Sequence, residues 1–409
     1  MMKIRLNWRR TTLLVFVILV FTNAFIITGI VKGQVKTAMY WPTKEWNVTD
    51  PSDQDMSNTT IYKMYEYIGT NNLNIHSISI VRNGFLIHEE YLSGFILREE
   101  NSYGSEPDYF GIDVVINGTL HVQFSSTKTI IALLVGIAID EGYISNTSQT
   151  FSSFFPSLMY SSPSKEDISI GHLLTMTSGI YGDNDAEFSW DQTIQGILNP
   201  ALYSAPGNTF RYSSASTHLL SAIINKSTGQ KTSDFAEEYL FDPIGISREE
   251  WYWQENSENI SFGGYGLYFT PQAMSKVGLL MLINGMWNGT QVISENWMLE
   301  MGTPQPNGFY GYLVWIDKYA YHTTGLLGQC IFLIPAHNLT IVFTAGILSG
   351  VLDEYIYIID NFIIAAIGNP APPNPAITGY SLMVFLPLMI FGVRSLSKKI
   401  KNKYKLIKN

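Results

Sequence analysis

A serine and a lysine stand three residues apart at the mouth of a segment that can only be buried. Phe124 precedes Ser125-Ser126-Thr127-Lys128, and residues 130–139 that follow Thr129 are apolar throughout. A helix apolar on every side belongs in a core. Its first turn carries free backbone N–H groups and the positive end of the helix dipole, which favour developing negative charge. A lysine three positions on shares that helical face. Held among apolar side chains it loses hydration, so its neutral form becomes accessible and can accept a proton. Serine with lysine at this spacing is a known nucleophile–base pair. The spacing also occurs at Ser162 and at Ser395, but Pro163 interrupts the first and the second lies in a basic tail. Only Ser125 opens a buried helix, where a plain helix cap is the competing explanation.

Charge divides the chain into three. Residues 1–10 carry four basic residues and residues 394–409 carry seven, both without acids, leaving 14 of the 25 basic residues and all 34 acids between them. A middle segment with net charge −20 and no basic stripe argues against nucleic-acid binding. Each basic end abuts an apolar run, 11–31 and 376–393, of roughly bilayer-spanning length. Pro387 within the second run is tolerated in a membrane helix. The positive-inside rule then puts both termini in the cytoplasm and the acidic body outside the cell membrane. The first run reads as an uncleaved anchor, with a cleaved signal peptide as the alternative. Eight Asn-x-Ser/Thr sequons, at Asn47, Asn58, Asn117, Asn146, Asn225, Asn259, Asn288 and Asn338, all fall in the body and agree with a glycoprotein. The single cysteine, Cys330, excludes an internal disulfide, so the core alone must hold the body. Seven histidines and one cysteine without ligand spacing suggest neither metal nor cofactor.

Along the chain, residues 1–10 read as a cytoplasmic N-terminus, 32–60 as a polar stalk, 61–368 as one catalytic domain, 369–375 as a Pro-rich linker and 394–409 as a cytoplasmic tail. Residues 62–69 suggest a helix. Residues 75–80 and 85–92, joined by Asn83-Gly84, form a strong hairpin signal. A short strand near Leu120-His121-Val122 precedes the Ser125 helix. Residues 145–305 are mostly helical, with helices near 218–227, 235–240 and 273–283. Strand character returns at 311–316, 330–334 and 339–344, before a helix at 354–367. Early and late strands are expected to share one antiparallel sheet, with the helical stretch inserted between them.

Three further segments bear on the site: His172-Leu173-Leu174-Thr175-Met176-Thr177-Ser178-Gly179-Ile180, Pro206-Gly207-Asn208-Thr209-Phe210-Arg211-Tyr212-Ser213-Ser214-Ala215, and Tyr321-His322-Thr323-Thr324-Gly325-Leu326-Leu327-Gly328. Taken with Ser125 and Lys128 in this order, and with Leu240-Phe241-Asp242-Pro243-Ile244-Gly245-Ile246 and Gly263-Gly264-Tyr265-Gly266, they resemble the serine beta-lactamase and penicillin-binding-protein superfamily. The likeness is strongest to class C beta-lactamase-related hydrolases, including esterases and 6-aminohexanoate-dimer hydrolase, and runs from about Tyr62 to Ile367.

That resemblance implies an α+β, beta-lactamase/transpeptidase-like fold: an antiparallel sheet flanked by helices with an inserted helical lobe, here with N- and C-terminal membrane helices added. It implies Ser125 as acylated nucleophile, Lys128 as base and Tyr212 as proton shuttle to the leaving group. The backbone N–H groups of Ser125 and Leu326 would form the oxyanion hole, and Ser214, His322, Thr324 and Gly325 would meet substrate. Lys128 is expected to lower the effective pKa of Tyr212, and glycines 325 and 328 to let a substrate backbone approach. Two departures stand out. Ser214 occupies the asparagine position of the Tyr-x-Asn motif and offers no amide NH2. Thr323 occupies the lysine or histidine position of the third motif, with His322 one place early. Loss of that cation leans away from beta-lactams and D-peptides and towards small esters or uncharged amides. A D-peptide carboxypeptidase or beta-lactamase, and a non-hydrolytic receptor ectodomain, remain the rival readings.

Overall fold

The computed structural model describes residues 41–368, apart from 93, 99–107, 114–117, 159, 161 and 187–191. Both expected membrane helices, the basic ends and the linker at 369–375 lie outside the described residues. Among the described residues no helix is long and apolar enough to cross a membrane.

The hairpin forms as its turn dictates. Strand β1 (Ile75–Arg82) pairs antiparallel with β2 (Phe85–Tyr91). Both turn residues hold positive φ, 52° at Asn83 and 84° at Gly84, the geometry that matches strand twist and favours Asn-Gly. A second hairpin, β3 (Gly94–Arg98) with β4 (Asp108–Asp113), stands apart as a two-stranded sheet. The expected strand at 120–122 forms as β5 (His121–Val122). It joins not the main sheet but a small one with β6 (Trp251–Trp253) and β7 (Leu267–Phe269), in the order β5-β7-β6. A short hairpin, β8 (Met286–Trp287) with β9 (Thr290–Gln291), follows.

Late strands close the main sheet. They are β10 (Trp315–Ile316), β11 (Tyr321–Gly325), β12 (Gln329–Ile334) and β13 (Leu339–Ala345). The sheet order is β10-β11-β12-β13-β1-β2, so β13 meets β1 across the whole inserted stretch. The expected single sheet of early and late strands is therefore present.

Five α-helices of eight or more residues are present among the described residues: α1 (Asn58–Thr70), α2 (Thr127–Asp140), α3 (Ser214–Thr228), α4 (Pro271–Leu282) and α5 (Val351–Ile358); α1, α4 and α5 cover the sheet, while α2 and α3 pack on each other. One face of the sheet, carrying Ile78, Ile80, Phe332 and Phe343, packs into one core with Ile61 and Met64 of α1 and Tyr355 and Ile358 of α5. Phe343 stacks on Tyr355 with ring centroids 4.0 Å apart. The other face meets α4, where a Cβ on Gly278 would stand 2.4 Å from Thr340 and 2.7 Å from Ile331. Gly136 clears space on α2 for the Trp297 indole, whose Nε1 donates to the Ala132 carbonyl at 3.0 Å.

The stalk reading fails for residues 41–57. Trp41 packs on Trp287, the Thr43 backbone lies where a Cβ on Gly245 would fall, Val48 bridges Leu86, and Met56 bridges Ile367. The apolar residues that make these contacts, Trp41, Val48 and Met56, stand singly in a polar stretch without helix or strand periodicity, which is why the sequence concealed them. The domain thus begins before residue 61.

Phe343→Ala empties a fully buried site between sheet and α5. Urea unfolding should show a loss of about 3–5 kcal/mol. A loss below about 1 kcal/mol would mean that this face does not carry the fold.

Candidate active site

The turn before α2 is clamped before it delivers its serine. The Gln123 N–H donates to the Leu267 carbonyl of β7 at 2.7 Å. Phe124 then takes a φ of 46°, a conformation few side chains adopt, and Phe124–Ser126 closes a short 3-10 turn ahead of the α-helix. Ser125 therefore sits one short turn outside α2, not within it. The next hydroxyl, Ser126 Oγ, donates to the Gln329 carbonyl at 2.8 Å and lies 3.1 Å from Thr323 Oγ1. These bonds tie the Ser125 turn to β11 and β12.

Glycine at 325 has a specific cause. A Cβ there would stand 2.2 Å from the Gln123 carbonyl oxygen. The close approach on that side is made by the protein's own backbone, so Gly325 serves the clamp. Gly328, with a φ of 102°, likewise lies against Tyr355, whose hydroxyl donates to the Gly328 carbonyl at 2.8 Å.

Lys128, the second residue of α2, is fully buried, and its ammonium makes three bonds. Nζ donates to Ser125 Oγ at 3.1 Å, to Ser214 Oγ at 2.9 Å and to the Gly264 carbonyl at 2.8 Å. Burial pulls its pKa from 10.5 down to about 8, with the Asp183 carboxylate pulling the other way. The Gly264 carbonyl comes this close because residues 263 and 264 have no side chains. A Cβ on Gly263 would stand 2.2 Å from the Thr217 carbonyl oxygen, and one on Gly264 2.5 Å from Ser214 Cβ.

Tyr212 completes the group. Its ring lies 4.7 Å from Lys128 Nζ, its hydroxyl bonds to Ser125, and it stacks on Trp315 at 5.6 Å. Burial raises its pKa above the ordinary tyrosine value, and the bond to Ser125 offsets only part of that. The expected lowering by Lys128 is overturned. Tyr212 stands in the site as a neutral phenol, chemically able to donate a proton.

The remaining expected site residues divide. Leu326 follows Gly325 directly at the end of β11, beside the clamped turn. Ser214, the first residue of α3, has its hydroxyl committed: it accepts from Lys128 and donates to Asp183 Oδ2 at 2.7 Å. It is part of the lysine's setting and not a free substrate contact. His322 and Thr324 lie across the sheet. Along β11 side chains alternate, with His322 opposite Phe332 and Thr323 opposite Ile331. Thr323 therefore shares the face of Ser126, while His322 stacks on Phe332 at 5.0 Å, and its Nδ1 lies 2.8 Å from Thr324 Oγ1. The strand's parity keeps both side chains from Ser125. Among the other histidines, His172 Nδ1 accepts the Ser169 N–H in a helix cap, and His218 bonds Asn256, so both are structural.

Asp183 and the Gly264 carbonyl were absent from the sequence reading. The first is one acid among several in a polar loop. The second had a signal in Gly263-Gly264, the mark of a close backbone approach.

A two-sided antiparallel sheet, with a Ser-x-x-Lys turn pinned against the end of its edge-side strand, defines a beta-lactamase/transpeptidase-like α+β fold. The chain belongs to the beta-lactamase family: residues 115–351, more than half of its length, match the family described as Beta-lactamase. A 6-aminohexanoate-dimer hydrolase of Paenarthrobacter ureafaciens is 25% identical over 195 residues, covering 44% of this chain and 49% of that protein. The chain thus spans about half the length of this curated relative. Among solved structures, a putative 6-aminohexanoate-dimer hydrolase from Bacillus anthracis aligns with TM-score 0.60 and 18% identity over 80% of this chain and 89% of that one. A family VIII carboxylesterase aligns with TM-score 0.58 and 15% identity over 75% and 96%. At these identities the structures speak for the fold.

Gly325→Ala should test the clamp. Its Cβ meets backbone, which cannot swing aside, so a loss of about 1–3 kcal/mol and a lower thermal midpoint are expected. An unchanged midpoint would show the turn to be loosely held.

Proposed function

We propose that this protein is a serine hydrolase that cleaves an uncharged ester, or a small amide, through an acyl-enzyme on Ser125. The observation that carries the reading is the buried Lys128 amine, 3.1 Å from Ser125 Oγ and partly neutral near physiological pH. Ser125 Oγ attacks the substrate carbonyl carbon while its proton passes to Lys128 Nζ. The backbone N–H groups of Ser125 and Leu326 hold the tetrahedral oxyanion. As the bond to the leaving group breaks, Tyr212 gives it a proton and regains one from Lys128. Water then attacks the acyl carbon by the reverse route and frees Ser125.

Two features support an uncharged substrate. Thr323 replaces the usual cation of the third motif, and its hydroxyl is bonded to Ser126 and to the Ile331 N–H at 3.1 Å. Arg211, on the loop that carries Tyr212, is held by Asp185 at 2.6 Å. A substrate carboxylate would therefore lack its usual partner, which disfavours the beta-lactamase and D-peptidase readings. The names of the relatives, a dimer hydrolase and a carboxylesterase, supply amide and ester as candidate bonds.

We further propose that residues 11–31 and 376–393 anchor the domain on the outer side of a membrane, on the strength of the basic ends and the acidic body. Protease added to intact cells should digest the domain while sparing the tail. Protection of the domain would reverse the orientation.

With a short-chain p-nitrophenyl ester, the protein should show a burst followed by turnover and a mass increment on Ser125. Ser125→Ala should lose all three, and Lys128→Met should lose at least about 100-fold in acylation rate. Because neutral Lys128 is the reactive form, acylation should rise with pH through a midpoint near 8. A burst without turnover would favour the receptor reading, and equal behaviour of wild type and Ser125→Ala would sink the hydrolase.

A further inference from the structure

The lysine is connected beyond Ser214 to a carboxylate. A serine hydroxyl has one proton to give. Ser214 gives it to Asp183 Oδ2 at 2.7 Å, so it can face Lys128 only as an acceptor, at 2.9 Å. The Ser214 backbone N–H donates to Asp183 Oδ1 at 2.6 Å, seating the carboxylate at the first turn of the 15-residue α3. The loop bearing Asp183 is fixed from both sides. Its N–H donates to the Tyr212 carbonyl at 3.1 Å, and Asp185 grips Arg211 through Nε at 2.8 Å and Nη2 at 2.6 Å. The result is one chain of contacts: Asp183, Ser214, Lys128, Ser125.

We propose that Asp183 is a positioning residue for the Ser125 reaction: it orients the Ser214 hydroxyl, aims Lys128 Nζ at Ser125 Oγ and supplies the ammonium's counter-charge. The proposal rests on the hydrolase reading above. It also accounts for the changed motif. An asparagine would accept from the lysine through its amide oxygen without adding charge. Serine is too short to fix its own direction, and Asp183 supplies both the direction and a negative charge.

The groups around Lys128 leave this part to Asp183. Tyr212 and Tyr310 are both pushed upward by burial and stay neutral. His218 on α3 is pushed down to about 4 and is neutral as well, bonded to Asn256 and to the Gly263 N–H. Arg211 and Asp185 neutralise each other. Glu258 accepts the Ile194 N–H, and His322 lies on the far face of the sheet. Among the described residues, Asp183 is the charge whose field reaches the lysine, and it favours the ammonium.

Removing that charge should make Lys128 easier to deprotonate. Two readouts on the full chain test this. In protein labelled with ¹³Cε-lysine, with the Lys128 signal identified by its loss in Lys128→Met, the wild-type titration midpoint should lie near 8. In Asp183→Asn it should fall by about one pH unit. The acid limb of p-nitrophenyl ester acylation should move down by the same amount, while the plateau rate drops as Lys128 loses its aim. Should Asp183→Asn fail to fold by circular dichroism, Ser214→Ala cuts the hydroxyl link and leaves the backbone N–H bond to Asp183; its midpoint should also fall. Midpoints unchanged from wild type in a folded variant would reduce Asp183 to a helix cap and overturn the proposal. The titration is read without turnover. A wild type that forms no acyl-enzyme would therefore defeat the hydrolase reading, while the midpoints would still decide the role of Asp183.

Discussion

Everything at the site depends on keeping one ammonium out of water. Moving the Lys128 pKa from 10.5 to about 8 corresponds to roughly 3 kcal/mol against the charged form. A group so disfavoured survives only if its donors are met, and all three are, by Ser125, Ser214 and the Gly264 carbonyl. Each partner in turn dictates structure around it. The carbonyl requires glycines at 263 and 264, Ser214 requires an acceptor for its proton, and Ser125 requires a turn strained at Phe124.

The sheet's part is to hold that turn still. Because β13 pairs with β1, the strands on either side of the long insertion form one rigid layer, and β11 rides on it through β12. Gly325 lets β11 press against Gln123, and Ser126 bonds both β12 and β11. Ser125 is thus fixed to the sheet by its neighbours in sequence, and its own hydroxyl is left to Lys128 and Tyr212.

What was legible in the sequence follows from range. Ser125 with Lys128, and Asn83-Gly84 between alternating strands, are local patterns whose chemistry is complete within a few residues. Asp183 is 31 positions from Ser214, and only the fold brings an acid in a polar loop to that hydroxyl. Strand parity explains the error at His322: one step along β11 transfers a side chain to the other face, and the sequence shows the neighbour without showing the face. The packing of residues 41–57 was hidden for a different reason, since backbone bridges such as Val48 with Leu86 leave no hydrophobic pattern.

The two altered motifs make one physical argument together. In the third motif, Thr323 removes a cation from the substrate side of the site and spends its hydroxyl on the clamp. In the second, Ser214 admits an anion on the lysine side and spends its hydroxyl on Asp183. Both changes make the site more negative than the family pattern, one by subtraction and the other by addition. An incoming carboxylate would meet no cation at Thr323 and an acidic loop at Asp183. A neutral carbonyl compound, the substrate class proposed above, meets neither penalty, and the Ser125–Lys128 contact is left intact.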